Sequence, residues 1–261
     1  MPSIFTKAAV AALALGLAHA LPQPRELAPR AALEDNSELI AKLKADATTY
    51  DRFQRLLIED GKLITGEKLA KATVFDFKNG LSVPGAKGGT TSVVSTQFSF
   101  HISPANIPCQ SELDTFPILI GSGFVMTRAS LGPCGVFLPH VHPRASEYFV
   151  AVEGEIEFGT ILELGLILTN PPIPLIEGKL ATYEGTVFPQ GSIHYQINNS
   201  ADCKNATAIA TLSSEDPGAT PFLQMTSGRN ATDPDDVRAL LPPQAAKIVD
   251  SCLARCYPSN A

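Results

Sequence analysis

Two histidines and a glutamate lie close together in the stretch GVFLPHVHPRASEYFVAVEGEIEFG, residues 135–159. Side chains two residues apart on a strand point to the same face, so His140 and His142 are predicted to project together. Pro143 cannot donate to a strand ladder and is expected to interrupt it. A turn after this proline would return Glu147 as the first inward residue of the next strand.

A third histidine, His194, opens another alternating run in GTVFPQGSIHYQINN, just after a Pro-Gly turn. The chain has five histidines, of which His19 falls in residues 1–20, a predicted signal peptide, and His101 lies outside this constellation. Three imidazoles and one carboxylate form a mixed nitrogen and oxygen site. Such a site suits Mn(II), Fe(II) or another six-coordinate divalent ion with positions open to water or substrate.

The alternative interpretation is that each histidine is an ordinary polar residue of a barrel, which is the better explanation for any single one of them. For the four residues together this alternative is weaker. Four titratable groups directed into a small barrel would carry a large desolvation penalty without an ion to pair with. The sequence therefore predicts one metal centre with the ligands His140, His142, Glu147 and His194.

The elements that must position these residues are predicted to be strands. Short alternating runs separated by Gly and Pro turns extend from Val74 to about Leu212, which is typical of an all-β sandwich or barrel. A turn at Gly154 predicts a compact hairpin. Apolar residues at helical spacing precede the strands over residues 37–59, as two short helices, and return over residues 234–256.

The N-terminal residues predict export from the cell. Residues 1–20 combine one lysine, an apolar run and small residues at the end, which is the pattern of a secretory signal peptide. Residues 21–35 are rich in proline and charge and are predicted to be a flexible leader. The main domain is then expected over residues 36–261, with its barrel core at about 74–212.

The charge of the chain excludes some classes of partner. The net charge is −6, and removal of residues 1–20, which carry Lys7 as their one charged side chain, would make it −7. An acidic protein repels phosphate backbones, so no nucleic-acid partner is expected. The apolar run from Ile161 to Ile176 is broken by Gly165 and three prolines, so no membrane anchor is expected either. A small molecule or an oxygen species is the expected partner.

An extracellular protein can form disulfides, and the odd number of cysteines leaves one over. Cys134 comes immediately before the histidine motif, where a small buried thiol would pack well, and it is predicted to be the free one. The pairing of the others stays open. The five cysteines are Cys109, Cys134, Cys203, Cys252 and Cys256.

Two longer motifs carry a resemblance to a known family. CGVFLPHVHPRASEYFVAVEG resembles the first signature of the cupins, and YEGTVFPQGSIHYQIN resembles the second. The HPRASE and FPQGxxHxxxN elements are especially similar to germins, germin-like proteins and spherulins, including secreted fungal relatives. The resemblance implies a single jelly-roll β-barrel with N- and C-terminal helical extensions, manganese as the ion, and a homo-oligomer such as a dimer or a trimer of dimers. The ligands it implies are His140, His142, Glu147 and His194.

The chain also departs from the family pattern. Cys134 and Tyr183 stand where the two signatures usually begin with glycine, which affects turns and not ligands. Germins that oxidise oxalate place asparagines three and thirteen residues before the first ligand histidine, and here those positions are Phe137 and Thr127. The amide pair that would hold a dicarboxylate is missing, so oxalate oxidase activity is not expected.

Four further polar residues have predicted roles outside the ligand set. Gln196 shares the face of His194 and is either a hydrogen-bond partner of the centre or a core amide bonded to backbone. Asn205 and Asn230 lie in N-x-T sequons and are predicted to be glycosylated. Asn198 is a third formal match, but in the cupin signature it is a structural residue, and it is expected to carry no glycan.

Two classes of function fit these residues. In the first, the protein is a secreted manganese enzyme acting on superoxide or a small acid, because superoxide needs no more than an open, redox-capable metal position. In the second, it is a stress, developmental or cell-wall protein of the spherulin type with a largely structural metal. The sequence leaves both open.

Overall fold

The computed structural model describes most of the chain from residue 36 onward. The predictions for the signal peptide, the leader, His101 and Asn230 lie outside the described residues. These residues are 36–75, 77, 93–94, 109–110, 116–166, 175–229 and 234–258.

Two short helices come first, as predicted, and α2 shows why it begins where it does. The Thr48 side chain accepts a hydrogen bond of 3.1 Å from the backbone N–H of Asp51, which satisfies one of the free donors of the first turn. A small hairpin and a third helix follow, neither of which was predicted. The elements are α1 (Ser37–Ala45), α2 (Thr49–Leu57), β1 (Ile58–Glu59), β2 (Lys62–Leu63) and α3 (Gly66–Thr73).

Two facing sheets form the body of the fold. The first has the order β10-β7-β12-β5-β3, with β4 also paired to β5, and the second has the order β6-β11-β8-β9. Two antiparallel sheets packed in this way are a jelly roll, so the predicted all-β class with helical extensions is confirmed. The strands are β3 (Val93–Val94), β4 (Cys109–Gln110), β5 (Val125–Leu131), β6 (Val136–His140), β7 (Glu147–Glu153), β8 (Ile156–Ile161), β9 (Leu175–Leu180), β10 (Gly185–Phe188), β11 (Ile193–Ile197) and β12 (Ala206–Leu212).

Alternation along the strands builds the barrel interior. In both β5 and β12 every second residue is buried, starting from the first. The buried apolar residues of these strands join one cluster inside the barrel, together with Phe149, Ile156 and Phe188 from other strands. This is the pattern of antiparallel sheets with one face on the core and one towards solvent.

The turn at Gly154 is confirmed, with φ of 75°, but the compact hairpin predicted around it is wrong. Strand β7 pairs with β10 and β12, whereas β8 pairs with β9 and β11. The chain therefore crosses from one sheet to the other at this turn. A turn residue indicates where the chain reverses, but the strand partners depend on the topology of the whole barrel.

Helices at the C-terminal end cover the outer face of β6 and β11. They are α4 (Phe222–Ser227), α5 (Pro234–Leu240) and α6 (Pro243–Cys256). Buried side chains of α5 and α6, among them Val237 and Val249, form a second apolar cluster with Val136, Tyr195 and Ile197 of the strands. None of the helices in the described part of the chain is long and apolar enough to cross a bilayer.

Two disulfides connect α6 to the barrel. Cys134 pairs with Cys252, and Cys203 pairs with Cys256. The prediction that Cys134 is the free cysteine is therefore wrong, although its burial was expected correctly. Burial could not distinguish the two outcomes, because the surface that covers Cys134 is the helix that carries its partner, 118 residues away. Four of the five cysteines are paired, so the odd cysteine of the sequence is Cys109, in β4.

Candidate metal centre

A β-bulge places His140 inside the barrel. His140 is opposite His194 in the ladder between β6 and β11, while Phe137 is opposite Gln196, so residues 138–139 together face a single residue of β11. A bulge adds one residue to one strand and shifts which side chains point inward. Phe137 and His140, three residues apart, therefore share the inner face.

His142 and Glu147 follow from the turn that the sequence predicted. After β6, Val141 forms an isolated bridge with Thr220, and the chain then turns at Pro143. Glu147 is the first residue of β7, and its side chain is buried. The predicted return of this carboxylate to the interior is confirmed.

The four predicted ligand residues come together at one end of the barrel. One ligand atom from each of them lies within 4.8 Å of the others. Oε2 of Glu147 is 2.9 Å from Nε2 of His142 and 3.1 Å from Nε2 of His194. The ring of His194 is also in contact with His140, with centroids 4.3 Å apart. Three of the four side chains are buried, and His142 is partly buried.

Each histidine is oriented by a backbone carbonyl that accepts a hydrogen bond from its Nδ1. The acceptors are Leu138 for His140 at 2.8 Å, Gly218 for His142 at 2.6 Å and Ser192 for His194 at 2.9 Å. Because a carbonyl can accept but not donate, Nδ1 carries the proton and Nε2 is left to face the centre. This arrangement is common for metal-binding histidines.

An aromatic side chain packs against the centre. The Phe188 ring stacks on the His194 ring with centroids 4.4 Å apart and an angle of 7° between the planes. Phe188 is itself buried in the apolar interior. The stack fixes the plane of the imidazole and limits the approach of water from that side.

The protonation states of Glu147 and His140 fit a metal centre. Burial, followed by the nearby charges of His194 and His142, lowers the pKa of His140 to about 3. Burial also lowers the pKa of His142, but the hydrogen bond with Glu147 and the charge of that carboxylate outweigh it and leave the pKa raised. Burial raises the pKa of Glu147, yet its hydrogen bonds with His142 and His194 outweigh burial and leave the pKa lowered. Glu147 is thus a carboxylate and His140 a neutral imidazole, as metal ligands must be.

Three buried polar groups lie inside the barrel near the centre. Oγ1 of Thr127, Oγ1 of Thr160 and Nε2 of Gln196 have no hydrogen-bond partner in the described part of the chain. Neither alternative predicted for Gln196 is therefore seen for its amide nitrogen. Thr160 was missed by the sequence analysis, although it is opposite His194 in the ladder with β8. Thr160 is four residues after Ile156 on the same strand, and this even spacing would have indicated an inward position.

The sequon residues differ in exposure. Asn198 is fully buried, and its Nδ2 donates to the carbonyls of Leu131, Gly132 and Lys204 at 2.8–2.9 Å. These bonds support the expectation that Asn198 is structural and carries no glycan. Asn205 is exposed, and its glycosylation stays a prediction.

The two departures from the family's glycines coincide with unusual backbone. Cys134 has φ of 60° and Tyr183 has φ of 69°. These values lie in the left-handed region, which glycine adopts without a steric penalty and other residues rarely adopt. The turns thus keep the conformation that favours glycine although the residues have changed.

The comparisons with known proteins agree with this fold and centre. Residues 111–239 match the Cupin family. Spherulin-1A of Physarum polycephalum is 30% identical over 232 residues, which are 84% of this chain and 79% of that protein. Germin-like protein 12-2 of Oryza sativa subsp. japonica is 37% identical over 138 residues, 53% of this chain and 58% of that protein.

Among solved structures, one described as giving insights into the mechanism of oxalate oxidase is 22% identical and covers 71% of this chain and 94% of its own, with a TM-score of 0.42. This likeness says nothing about the activity of the present chain. The relationship with Spherulin-1A extends over most of both chains, and the family match spans the residues of the centre. The chain therefore belongs to the cupins, and within them to the germin and spherulin type.

Proposed function

We propose that the four-residue centre holds one divalent metal ion, manganese by preference, and that the protein is a secreted manganese-dependent oxidoreductase acting on a small oxygen species such as superoxide. The observation that carries this proposal is the convergence of one ring nitrogen from each of three histidines and one buried carboxylate within 4.8 Å. This donor set of nitrogen and oxygen fits manganese, iron or a similar ion. Bound there, manganese supplies a redox-active centre with positions open to a ligand.

The residues of the chain prepare the centre for such an ion. Glu147 contributes a negative charge that offsets part of the charge of a dication, and the three Nδ1 hydrogen bonds hold the imidazoles in place. Thr160 and Gln196 present polar groups without partners in the described residues, on the inner face that also carries His194. These groups are available to hydrogen-bond a small ligand inside the barrel.

The interior favours a small ligand of low charge over a dicarboxylate. No Lys or Arg is among the buried residues that the structure describes. The second carboxylate of oxalate would therefore be buried without a cation to pair with, which costs several kcal/mol. Phe137 cannot supply a hydrogen bond, and Thr127 offers one hydroxyl. We expect weak turnover of oxalate or none.

Hydrogen peroxide release from oxalate tests this expectation. The assay is made on metal-loaded protein, with superoxide dismutation measured in parallel on the same sample. A rate of about 10 per second or more, an ordinary enzyme turnover, would show that another residue replaces the missing amides.

The second candidate function is a stress, developmental or cell-wall protein with a structural metal. The long match with Spherulin-1A, over 84% of this chain, favours it. In that case the metal would raise the stability of the barrel, and metal-loaded protein would show no superoxide dismutation above that of free manganese.

Metal content decides whether the centre binds an ion. Protein secreted by a eukaryotic host should carry close to one equivalent of divalent metal per chain, and the His140→Ala, His142→Ala double variant should lose it together with thermal stability. Lys179→Met, on the surface strand β9, serves as a control that keeps the metal. Metal retained by the double variant would overturn the assignment of these ligands.

We further propose that the mature protein is extracellular, glycosylated at Asn205 and Asn230, and oligomeric. Exposed apolar side chains support assembly, among them Tyr50 and Phe53 on α2 and Tyr148 on the outer face of the larger sheet. Light scattering on the secreted protein at micromolar concentration should give a multiple of the chain mass. A glycosylated monomer would contradict this part of the proposal.

A further inference from the structure

The segment of residues 213–220 follows β12 and lies along the turn that carries His142. The backbones of Val141 and Thr220 bond to each other in both directions, at 3.2 and 2.9 Å. The N–H of Arg144 donates to the carbonyl of Pro217 at 3.2 Å. At the far end of the turn, Ser146 and Ser213 exchange two further bonds of 2.9 Å. The 213–220 segment therefore holds the turn between β6 and β7 along its whole length.

His142 depends on this segment in a way that the other two histidines do not. The carbonyls that orient His140 and His194 belong to residues two positions earlier in the chain, Leu138 and Ser192. The carbonyl that orients His142 belongs to Gly218, 76 residues away, at 2.6 Å. The direction of the His142 ring is thus set by where the 213–220 segment lies.

The side chain of Arg144 adds two further hydrogen bonds to that segment. Its Nε donates to the backbone carbonyl of Asp216 at 2.7 Å, and its Nη2 donates to Oδ1 of the same residue at 2.8 Å. Gly218 is packed under this guanidinium, because a Cβ on Gly218 would lie 3.0 Å from Nη2 of Arg144 and from the Pro143 ring. A planar guanidinium with two donors in a fixed fork suits this task, and a lysine would not reproduce it.

The Arg144–Asp216 pair is too exposed to contribute much to the stability of the fold. The two side chains are 53% and 71% exposed, and ion pairs at such positions add little to the free energy of folding. The pair nevertheless joins the turn that carries one ligand residue to the segment whose carbonyl orients it. This connection gives the pair a role at the centre.

We propose that Arg144 is a positioning residue, which acts through Asp216 and the Gly218 carbonyl to hold His142 in the orientation for metal binding. This inference rests on the proposed metal binding by the centre. Loss of the guanidinium would let the 213–220 segment shift and would weaken the hold on His142. Substitution of a residue that orients a ligand without touching the metal typically changes metal affinity about 10–100-fold. Arg144 acts less directly still, because it positions the carbonyl that orients His142.

The sign of the effect separates positioning from simple electrostatics. Arg144→Met removes a positive charge near a site for a cation, which by charge alone would strengthen metal binding. Positioning predicts the reverse, a dissociation constant for manganese about 10-fold higher. Arg144→Lys keeps the charge but replaces the planar fork with a single ammonium nitrogen, and should fall between the wild-type protein and Arg144→Met.

The experiment measures the manganese dissociation constant by competition with a chelator, the electron paramagnetic resonance spectrum of bound Mn(II), and the urea midpoint of the metal-free protein. The proteins are wild type, Arg144→Met, Arg144→Lys and the control Lys179→Met, whose pair with Glu155 at 2.6 Å is similarly exposed but lies on another part of the surface. We expect weaker binding and an altered spectrum for Arg144→Met, with a urea midpoint equal to that of the control.

Each outcome is decisive. Wild-type protein that binds no metal would overturn the proposed function and this inference with it. Wild-type protein that binds manganese, with Arg144→Met binding equally well or more tightly, would overturn the inference alone. Equal weakening in Arg144→Met and Lys179→Met would show that the loss of an exposed ion pair anywhere on the surface weakens binding, and would also overturn the inference. Should Arg144→Met not fold, Arg144→Lys carries the same test with an effect of about threefold, the square root of the 10-fold figure.

Discussion

The two faces of the β6–β11 pair show opposite uses of the same strands. On the inner face are His140, His194 and Gln196, with polar atoms that converge or lack partners in the described residues. On the outer face, Val136 and Tyr195 are buried under α5 and α6 in an apolar cluster. The inner face is organised for binding and the outer face for packing, although neighbouring residues of one strand contribute to both.

The comparison also explains the sequence of β6. All five residues of this strand are buried, so VFLPH does not show the alternation of a strand with one wet face. A strand covered on both faces reads as a continuous apolar run. The C-terminal helices are therefore the reason that β6, which carries His140, looks different from β5 and β12, which alternate strictly.

If the two faces are independent, a change at the inner face should remove the metal and leave the outer packing intact. Glu147→Gln keeps the size of the side chain but removes the charge at the centre. It should weaken manganese binding by more than ~100-fold, the largest effect usually seen when a residue that only orients a ligand is changed. Calorimetric titration with manganese measures this effect. The disulfides and the far-ultraviolet circular dichroism spectrum should stay as in the wild type, and a loss of folded structure would contradict the independence of the faces.

A change at the outer face should have the reverse effect. Cys134→Ala combined with Cys252→Ala removes a cross-link that spans 118 residues and should lower the free energy of unfolding by about 2–4 kcal/mol. Urea unfolding measures the loss, and manganese titration of the folded variant should give the wild-type affinity. A parallel fall in metal affinity would show that the disulfide link between α6 and the barrel supports the centre.

A smaller effect is expected where β8 meets the outer face of β11. A Cβ on Gly159 would lie 2.2–2.3 Å from atoms of the Tyr195 ring, so Gly159→Ala should displace that ring and its 2.8 Å hydrogen bond to Glu177. Overpacking of this kind costs about 1–3 kcal/mol of unfolding free energy.

The control for Gly159→Ala is the same substitution made in a Tyr195→Ala background. With the ring removed, Gly159→Ala should cost much less, and the two changes should be non-additive in urea unfolding. Additive costs would show that the Tyr195 ring is not the obstacle.

The smallest effect concerns the turn before β10, away from both faces. Tyr183 is 83% exposed and holds φ of 69°, so Tyr183→Gly relieves left-handed strain and should stabilise the fold by about 0.5–1 kcal/mol after the entropy of glycine is subtracted. The urea midpoint measures it. Tyr183→Ala removes the ring but keeps the strain, and should give no such gain; an equal gain would assign the effect to the exposed ring.

The sequence by itself determined the residues of the centre and the class of the fold. His140, His142, Glu147 and His194 could be identified because ligand chemistry and strand periodicity act over short spacings. The all-β body, α1, α2 and the helical C-terminal region followed from local periodicity for the same reason. Each of these patterns is local, although His194 joins the group from 47 residues beyond Glu147.

Tertiary structure alone decided the contacts between distant segments. It paired Cys134 with Cys252, placed β7 and β8 in different sheets, and brought the Gly218 carbonyl to His142. Local periodicity predicts which face of an element is buried, but it does not say which element covers that face. The choice depends on how both sheets and the C-terminal helices pack at once, because a buried face gains its free energy from whichever surface excludes water from it.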